Sequence, residues 1–206
     1  MARALASEPK LLLLDEPLAA LDAATRVGVR RELRRHLSEF KGCAVLVTHD
    51  PVDAYTLADR VVIIENGQVV QDGTFVEIAA HPRSAYVAEL VGVNLLTGSV
   101  MGGVFAVGSG ATLVVAAADV DGPAIAVIRP QAVSLHASRP EGSPRNAWRG
   151  LVVDVDHRGD RVRVRLEGPV QLTAEITFGA AEALRVKVGR ELWAAVKATE
   201  ITVMLN

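Results

Sequence analysis

The sequence has one cysteine, few aromatic residues and no strong charge of either sign. The single thiol, Cys43, excludes an internal disulfide and suits a reducing compartment. Lys and Arg number 22 against 24 Asp and Glu, so no global field draws the chain to nucleic acid or an anionic membrane, and any anion site must be local. No run approaches the ~18 apolar residues needed to cross a bilayer. Asp15 and Glu16 interrupt the leucines at 11–14 before these could form a signal-peptide core. Together these absences read as a cytoplasmic chain. Its 206 residues are enough for one mid-sized domain or two small ones.

The first half alternates strand and helix signals, an α/β pattern. "KLLLLD" is an apolar run of strand length, of the kind expected for a parallel strand buried on both faces. From Asp22 the periodicity turns helical, with Val29, Leu33, Leu37 and Phe40 on one face and Arg30, Arg31, Arg34 and Arg35 toward water, until Gly42 stops it. "AVLVT" at 44–48 is a second buried strand, which makes residues 11–48 one βαβ unit. Pro51 suits the first turn of a helix at 51–58. Asn66-Gly67 between two β-branched runs predicts a hairpin. Thr74 and Glu77 have capping-box spacing, and Ser84 caps a last helix that ends near Val91.

From about Val93 helical periodicity gives way to short β-branched runs between turns, which predicts a small barrel. In "DRVRVRLEG" Val162, Val164 and Leu166 should face inward and the arginines outward. The loop at 137–146, rich in Pro, Gly and Ser, is expected to divide this half into two sub-barrels. Such a barrel could bind single-stranded nucleic acid, but that needs a stacking platform. Aromatics are 4% of the chain, and Trp148, Phe178 and Trp193 lack platform spacing, so nucleic acid is not an expected partner.

A buried parallel strand presents its carboxyl edge to ligands, and Asp15 and Glu16 lie there. In phosphoryl-transfer proteins one acid at such an edge holds the Mg²⁺ of the nucleotide, and a second can orient or deprotonate the attacking water. Taken alone the pair also fits an ordinary acidic turn, and a lone histidine after a strand, such as His49, fits a plain loop. The wider context carries more. "LLLLDEPLAALD" followed by "VLVTHD" resembles the Walker B segment, D-loop and switch histidine of ABC-type ATPases, and "ARALASEPK" resembles the tail of their signature helix.

That resemblance implies a partial P-loop NTPase sheet of the ABC type over residues 1–92. It makes Asp15 the Mg²⁺-associated acid, Glu16 the catalytic carboxylate, Asp22 a D-loop residue crossing a nucleotide-bound homodimer, and His49 the contact to the γ-phosphate of ATP. No G-x-x-x-x-G-K-[ST] phosphate loop and no Gly-rich signature occur in the sequence. The expectation is therefore the C-terminal portion of an ABC subunit, with Met1 an internal or misassigned start.

"IRPQAVSLH" at 128–136 resembles a segment of the TOBE regulatory domain. "SPRNAWRGLVVDV" with "VKATEITVML" resembles the molybdate-binding Mop domain over 143–206. Residues 93–206 are thus expected to form an all-β, OB-like TOBE/Mop barrel. A tetrahedral oxyanion needs short-range N–H and O–H donors with a cation, and Ser143, Arg145, Lys197 and Thr199 carry them. Arg145 and Lys197 also fit solvated strand-end charges. Ala180 and Ala181 stand where the Mop pattern tends to have a serine, which removes one hydroxyl donor.

The resemblance further implies transmembrane permease subunits as partners, a periplasmic or surface oxyanion-binding protein acting indirectly, and a place on the inner face of the membrane. The expected function is an oxyanion importer's ATP-binding subunit, with molybdate favoured over sulfate. A stand-alone oxyanion-binding or regulatory module without ATPase activity is the alternative.

Overall fold

The computed structural model describes residues 9–116 and 121–205, which fall in two compact units, Met1–Ala80 and His81–Asn206. The likeness of residues 2–8 to a signature helix lies outside the described residues. The two units divide between Ala80 and His81.

The first unit opens with strand β1 (Leu11–Asp15), helix α1 (Ala23–Glu39) and strand β2 (Cys43–Val47), the expected βαβ order. β1 and β2 pair in parallel, from Leu11 opposite Cys43 to Asp15 opposite Val47. They form a two-stranded sheet, and β1 is not buried on both faces as the leucine run predicts. Leu12 is buried, whereas Leu13 is 68% exposed and Leu11 51%. Because side chains alternate along a strand, Leu11 and Leu13 share the face that carries no cover among the described residues.

The helix begins where the Asp22 carboxylate accepts from the N–H groups of Ala24 and Thr25, two of the donors that no helical carbonyl reaches. Helix α2 (Pro51–Leu57) is capped in the same way by Asp50, with Pro51 in its first turn. Strands β3 (Val61–Glu65) and β4 (Gln68–Gly73) form the predicted hairpin. Asn66 and Gly67 both have positive φ, the geometry of the tight turn that matches strand twist. Helix α3 (Phe75–Ala80) follows, its entry closed by the reciprocal Thr74 and Glu77 bonds of a capping box.

The second unit starts with helix α4 (Ala85–Val91), capped by Ser84 and stopped by Gly92 in the left-handed region. The helix belongs to this unit because Val87 and Ala88 are buried and Arg163 donates to the Gly92 carbonyl at 2.7 Å. Ten strands follow. They are β5 (Asn94–Met101), β6 (Val104–Val107), β7 (Thr112–Val114), β8 (Gly122–Ile128), β9 (Ser134–His136), β10 (Asn146–Arg158), β11 (Arg161–Glu167), β12 (Leu172–Thr177), β13 (Glu191–Val196) and β14 (Ile201–Leu205). A short helix α5 (Phe178–Ala183) lies between β12 and β13.

These strands do not form two sub-barrels in sequence. They form two five-stranded sheets, ordered β14-β8-β5-β6-β7 and β9-β13-β10-β11-β12. The order is the same in both, so the unit is a duplicated motif with its last strands exchanged. β9 ends the first copy yet pairs with β13, and β14 ends the second yet pairs with β8. One shared core results, with Leu96, Phe105, Leu113 and Ile128 from one copy and Val152, Val164, Leu166 and Leu192 from the other.

Two buried asparagines finish the exchange. Asn94, first residue of β5, takes the N–H of Thr173 on edge strand β12 at 2.6 Å and donates to the Thr173 carbonyl at 2.9 Å. Asn146, first residue of β10, does the same to Val114 on edge strand β7, at 2.7 and 2.9 Å. Each side-chain amide thus pairs with the open edge of the opposite sheet as a single strand residue would, satisfying groups that are costly to leave unpaired.

Along β11, Val162, Val164 and Leu166 are buried as predicted. Arg163 departs from the outward expectation. Its guanidinium lies half-buried between the Gly92 carbonyl and the Glu175 carboxylate, 3.4 Å away.

Candidate functional site

The carboxyl ends of β1 and β2 bring Asp15, Glu16 and His49 to one edge. The Glu16 N–H donates to Val47 O at 2.9 Å, which carries the parallel pairing one step past the strands. Glu16 then turns with φ +44°, a region that non-glycine residues rarely enter and that costs of order 1–3 kcal/mol. That turn puts Glu16 Oε1 2.7 Å from His49 Nδ1. His49 is held above its ordinary pKa, first by this hydrogen bond and then by the charge of Glu16. Its side chain is 74% exposed, so Nδ1 is engaged and the rest of the ring faces outward.

Asp15 is exposed at the end of β1. Among the described residues no group of three or more His, Cys, Asp or Glu could hold a metal ion. For the phosphates themselves the fit is poor, since the sequence has no Gly-rich loop or lysine to cradle them. What these residues offer is a carboxylate aligned by an imidazole at a strand edge, able to accept a proton from a water. Asp22 does different work here. Its oxygens cap α1, and the bonds from Thr25 lower its pKa.

Sequence reasoning missed what holds the His49 segment. Arg30, expected toward water, turns inward with its side chain 13% exposed, because α1 packs against α2 and two α2-side acids face it. Its Nε donates to Asp53 Oδ1 at 2.6 Å, and its Nη2 reaches Asp50 Oδ2 at 3.3 Å. Asp53 is 4% exposed. Thr48 Oγ1 accepts the Asp50 N–H at 3.1 Å and lies 3.5 Å from Asp53 Oδ2. The only sequence signal was a pair of acids at 50 and 53 opposite an arginine-rich helix.

In the second unit Asn146 pairs with Val196 in the β10 and β13 ladder. Arg145 directly precedes Asn146 and Lys197 directly follows Val196, so both stand next to this last paired position. Ser143, Arg145, Lys197 and Thr199 are all exposed. Asn146 is turned away to its structural task at Val114, and Ala180 donates its N–H to Thr177 Oγ1. Arg139 lies 5.6 Å over the ring of Trp193.

The chain thus joins a parallel strand edge carrying an acid and imidazole pair to a duplicated all-β unit. Residues 142–203 match the TOBE domain family. The chain is 43% identical, over 98% of its length, to the molybdenum import ATP-binding protein ModC of Mycobacterium tuberculosis. It is 40% identical over 98% to the sulfate/thiosulfate import ATP-binding protein CysA of Burkholderia mallei, and 34% over 98% to the molybdate/tungstate import ATP-binding protein WtpC of Pyrococcus horikoshii. Over nearly its whole length the chain is thus similar to ABC import ATP-binding proteins. It spans 57% of the length of the first two relatives and 59% of the third. A solved structure of the cytoplasmic molybdate-binding protein ModG covers 55% of the chain and 96% of its own, with a TM-score of 0.49 and 21% identity. No helix among the described residues is long and apolar enough to cross a membrane.

Proposed function

We propose that this chain supplies the hydrolytic strand edge and the regulatory domain of an oxyanion importer's ATP-binding subunit, with molybdate favoured over sulfate. The observation that carries this reading is the 2.7 Å contact between Glu16 and His49 at the carboxyl end of a parallel strand pair. In an ATP-loaded dimer Glu16 accepts the proton of the attacking water and His49 contacts the γ-phosphate. Asp15 would hold the Mg²⁺ brought by the nucleotide, which would neutralise phosphate charge, and Asp22, at the start of α1, would lie in the loop that crosses the dimer. Hydrolysis then drives permease subunits at the inner face of the membrane, which receive the anion from an external binding protein.

The anion assignment is supported by Arg145 and Lys197 standing next to the paired Asn146 and Val196 at the ends of β10 and β13, with Ser143 and Thr199 as nearby hydroxyl donors, and by relatives named for molybdenum, tungstate and sulfate import. One copy covers an anion incompletely, and a symmetric second copy supplies the remaining donors. A second reading, a stand-alone oxyanion-binding or regulatory module without ATPase activity, draws on the four candidate oxyanion donors all lying in the second unit. Calorimetric titration of the chain with molybdate, tungstate and sulfate tests the anion site. Saturable heats for molybdate and tungstate are expected, and heats equal to buffer for all three would overturn it.

A further inference from the structure

We propose that Arg30 and Asp53 are positioning residues that hold the His49 imidazole against Glu16. The inference deepens the reading of this strand edge as a hydrolytic site and rests on that reading for its functional meaning, though not for its geometry.

His49 has little support of its own. Its side chain is mostly exposed and meets a single partner, Glu16. A hydrogen bond between exposed charged groups in water is weak and does not fix a loop. Both neighbours of His49 are fixed, however, and from the other side. Thr48 Oγ1 accepts the Asp50 N–H, Asp50 Oδ1 caps α2 through the Val52 N–H at 2.8 Å, and Asp50 Oδ2 accepts from Arg30. Asp53 lies one turn into α2 and its carboxylate is almost fully buried. The Arg30 guanidinium engages it through Nε and Nη2, at 2.6 and 2.5 Å.

A buried carboxylate must be compensated, and the planar fork of arginine compensates two acids at once. Arg26 adds a longer contact to Asp50 at 3.7 Å. The backbone at 48–50 is therefore set by α1, while Glu16 is set by its strained turn after β1. The two partners meet because α1 joins β1 to β2 and carries the arginine that locates the loop. Without the fork the loop has no reason to present Nδ1 to Glu16.

The test is nuclear magnetic resonance of the His49 ring nitrogens in the full chain. Wild type should show an Nδ1 signal shaped by Glu16, and Glu16→Gln defines the signal of the released ring. Arg30→Gln and Asp53→Asn should each move His49 to the Glu16→Gln position. Arg34→Gln, on the exposed side of the same helix, should leave the signal unchanged. If Arg30→Gln fails to fold, Thr48→Val, which keeps the shape and removes the hydroxyl, should shift the ring part of the way. A folded Arg30→Gln or Asp53→Asn chain with a wild-type His49 signal would overturn the inference, as would an unmoved signal in Thr48→Val. Failure to bind an oxyanion would count against the functional reading and leave this result intact.

Discussion

Replacing Asn94 with alanine should destabilise the second unit by about 3 kcal/mol. The side chain is 7% exposed and makes three bonds, from the Thr173 N–H at 2.6 Å and to the carbonyls of Thr173 and Ile128 at 2.9 and 3.1 Å. Removing it leaves the Thr173 N–H without a partner at a sheet edge, and one orphaned buried donor costs about 1–3 kcal/mol. The two carbonyls lose a second bond each, a smaller loss, which brings the sum to about 3 kcal/mol. For a unit of this size that lowers the melting midpoint by about 10 °C.

Asparagine to aspartate is the sharper variant. An aspartate can still accept from Thr173 but sets a negative charge against two carbonyl oxygens, so it should not recover the loss. Both tryptophans, Trp148 and Trp193, lie in the second unit, so urea unfolding followed by their fluorescence reports this unit alone. Asn146→Ala should behave alike, and because the two residues share no partner the double variant should be close to additive. A shift below about 0.5 kcal/mol for Asn94→Ala, or full stability in Asn94→Asp, would refute the role of these amides as strand substitutes.

The His49 pKa should lie above its ordinary value and fall back in Glu16→Gln, as read by proton resonance against pH. With the pKa raised on folding, the contact stabilises the fold below the ordinary histidine pKa, and that contribution disappears as pH rises through the raised value. The chain alone should release no phosphate from Mg-ATP above background, because Glu16 and His49 can act only on a nucleotide that other groups hold. Turnover abolished by Glu16→Gln would contradict this. Gly98→Ala should disrupt the β5 and β6 ladder, since a Cβ there would come within 2.0 Å of the Ala106 carbonyl oxygen. A folded variant with unchanged circular dichroism and melting would show that the strands can part at little cost.

Local signals were legible along the chain. Asp22, Ser84 and the Thr74 and Glu77 pair cap their helices because such bonds need only the neighbouring residues. Asn66-Gly67 makes its turn for the same reason. The strand edge was legible too, since a leucine run ending in acids and a second run ending in histidine define one parallel register.

What stayed hidden depends on distant partners. A strand's own pattern does not say which sheet it joins, so the crossing of β9 and β14 could not be read, nor could the duplication behind it. An asparagine opening a strand looks like a turn residue until the open edge it faces is known, as with Asn94 and Asn146. Arg30 sits on the polar side of an amphipathic helix, and only the packing of α2 shows that two acids wait there.

The most direct measurement is equilibrium dialysis of the full chain against molybdate, with bound molybdenum counted per chain. If Arg145 and Lys197 hold the anion as proposed, Arg145→Ala or Lys197→Ala would remove a charge-assisted hydrogen bond worth about 1.5–3 kcal/mol, and each should weaken retention about ten-fold or more. The predicted result is saturable binding by wild type and none above background in the double variant at the same free concentration. Molybdenum at the background level in wild type, or equal retention by the double variant, would contradict the oxyanion site.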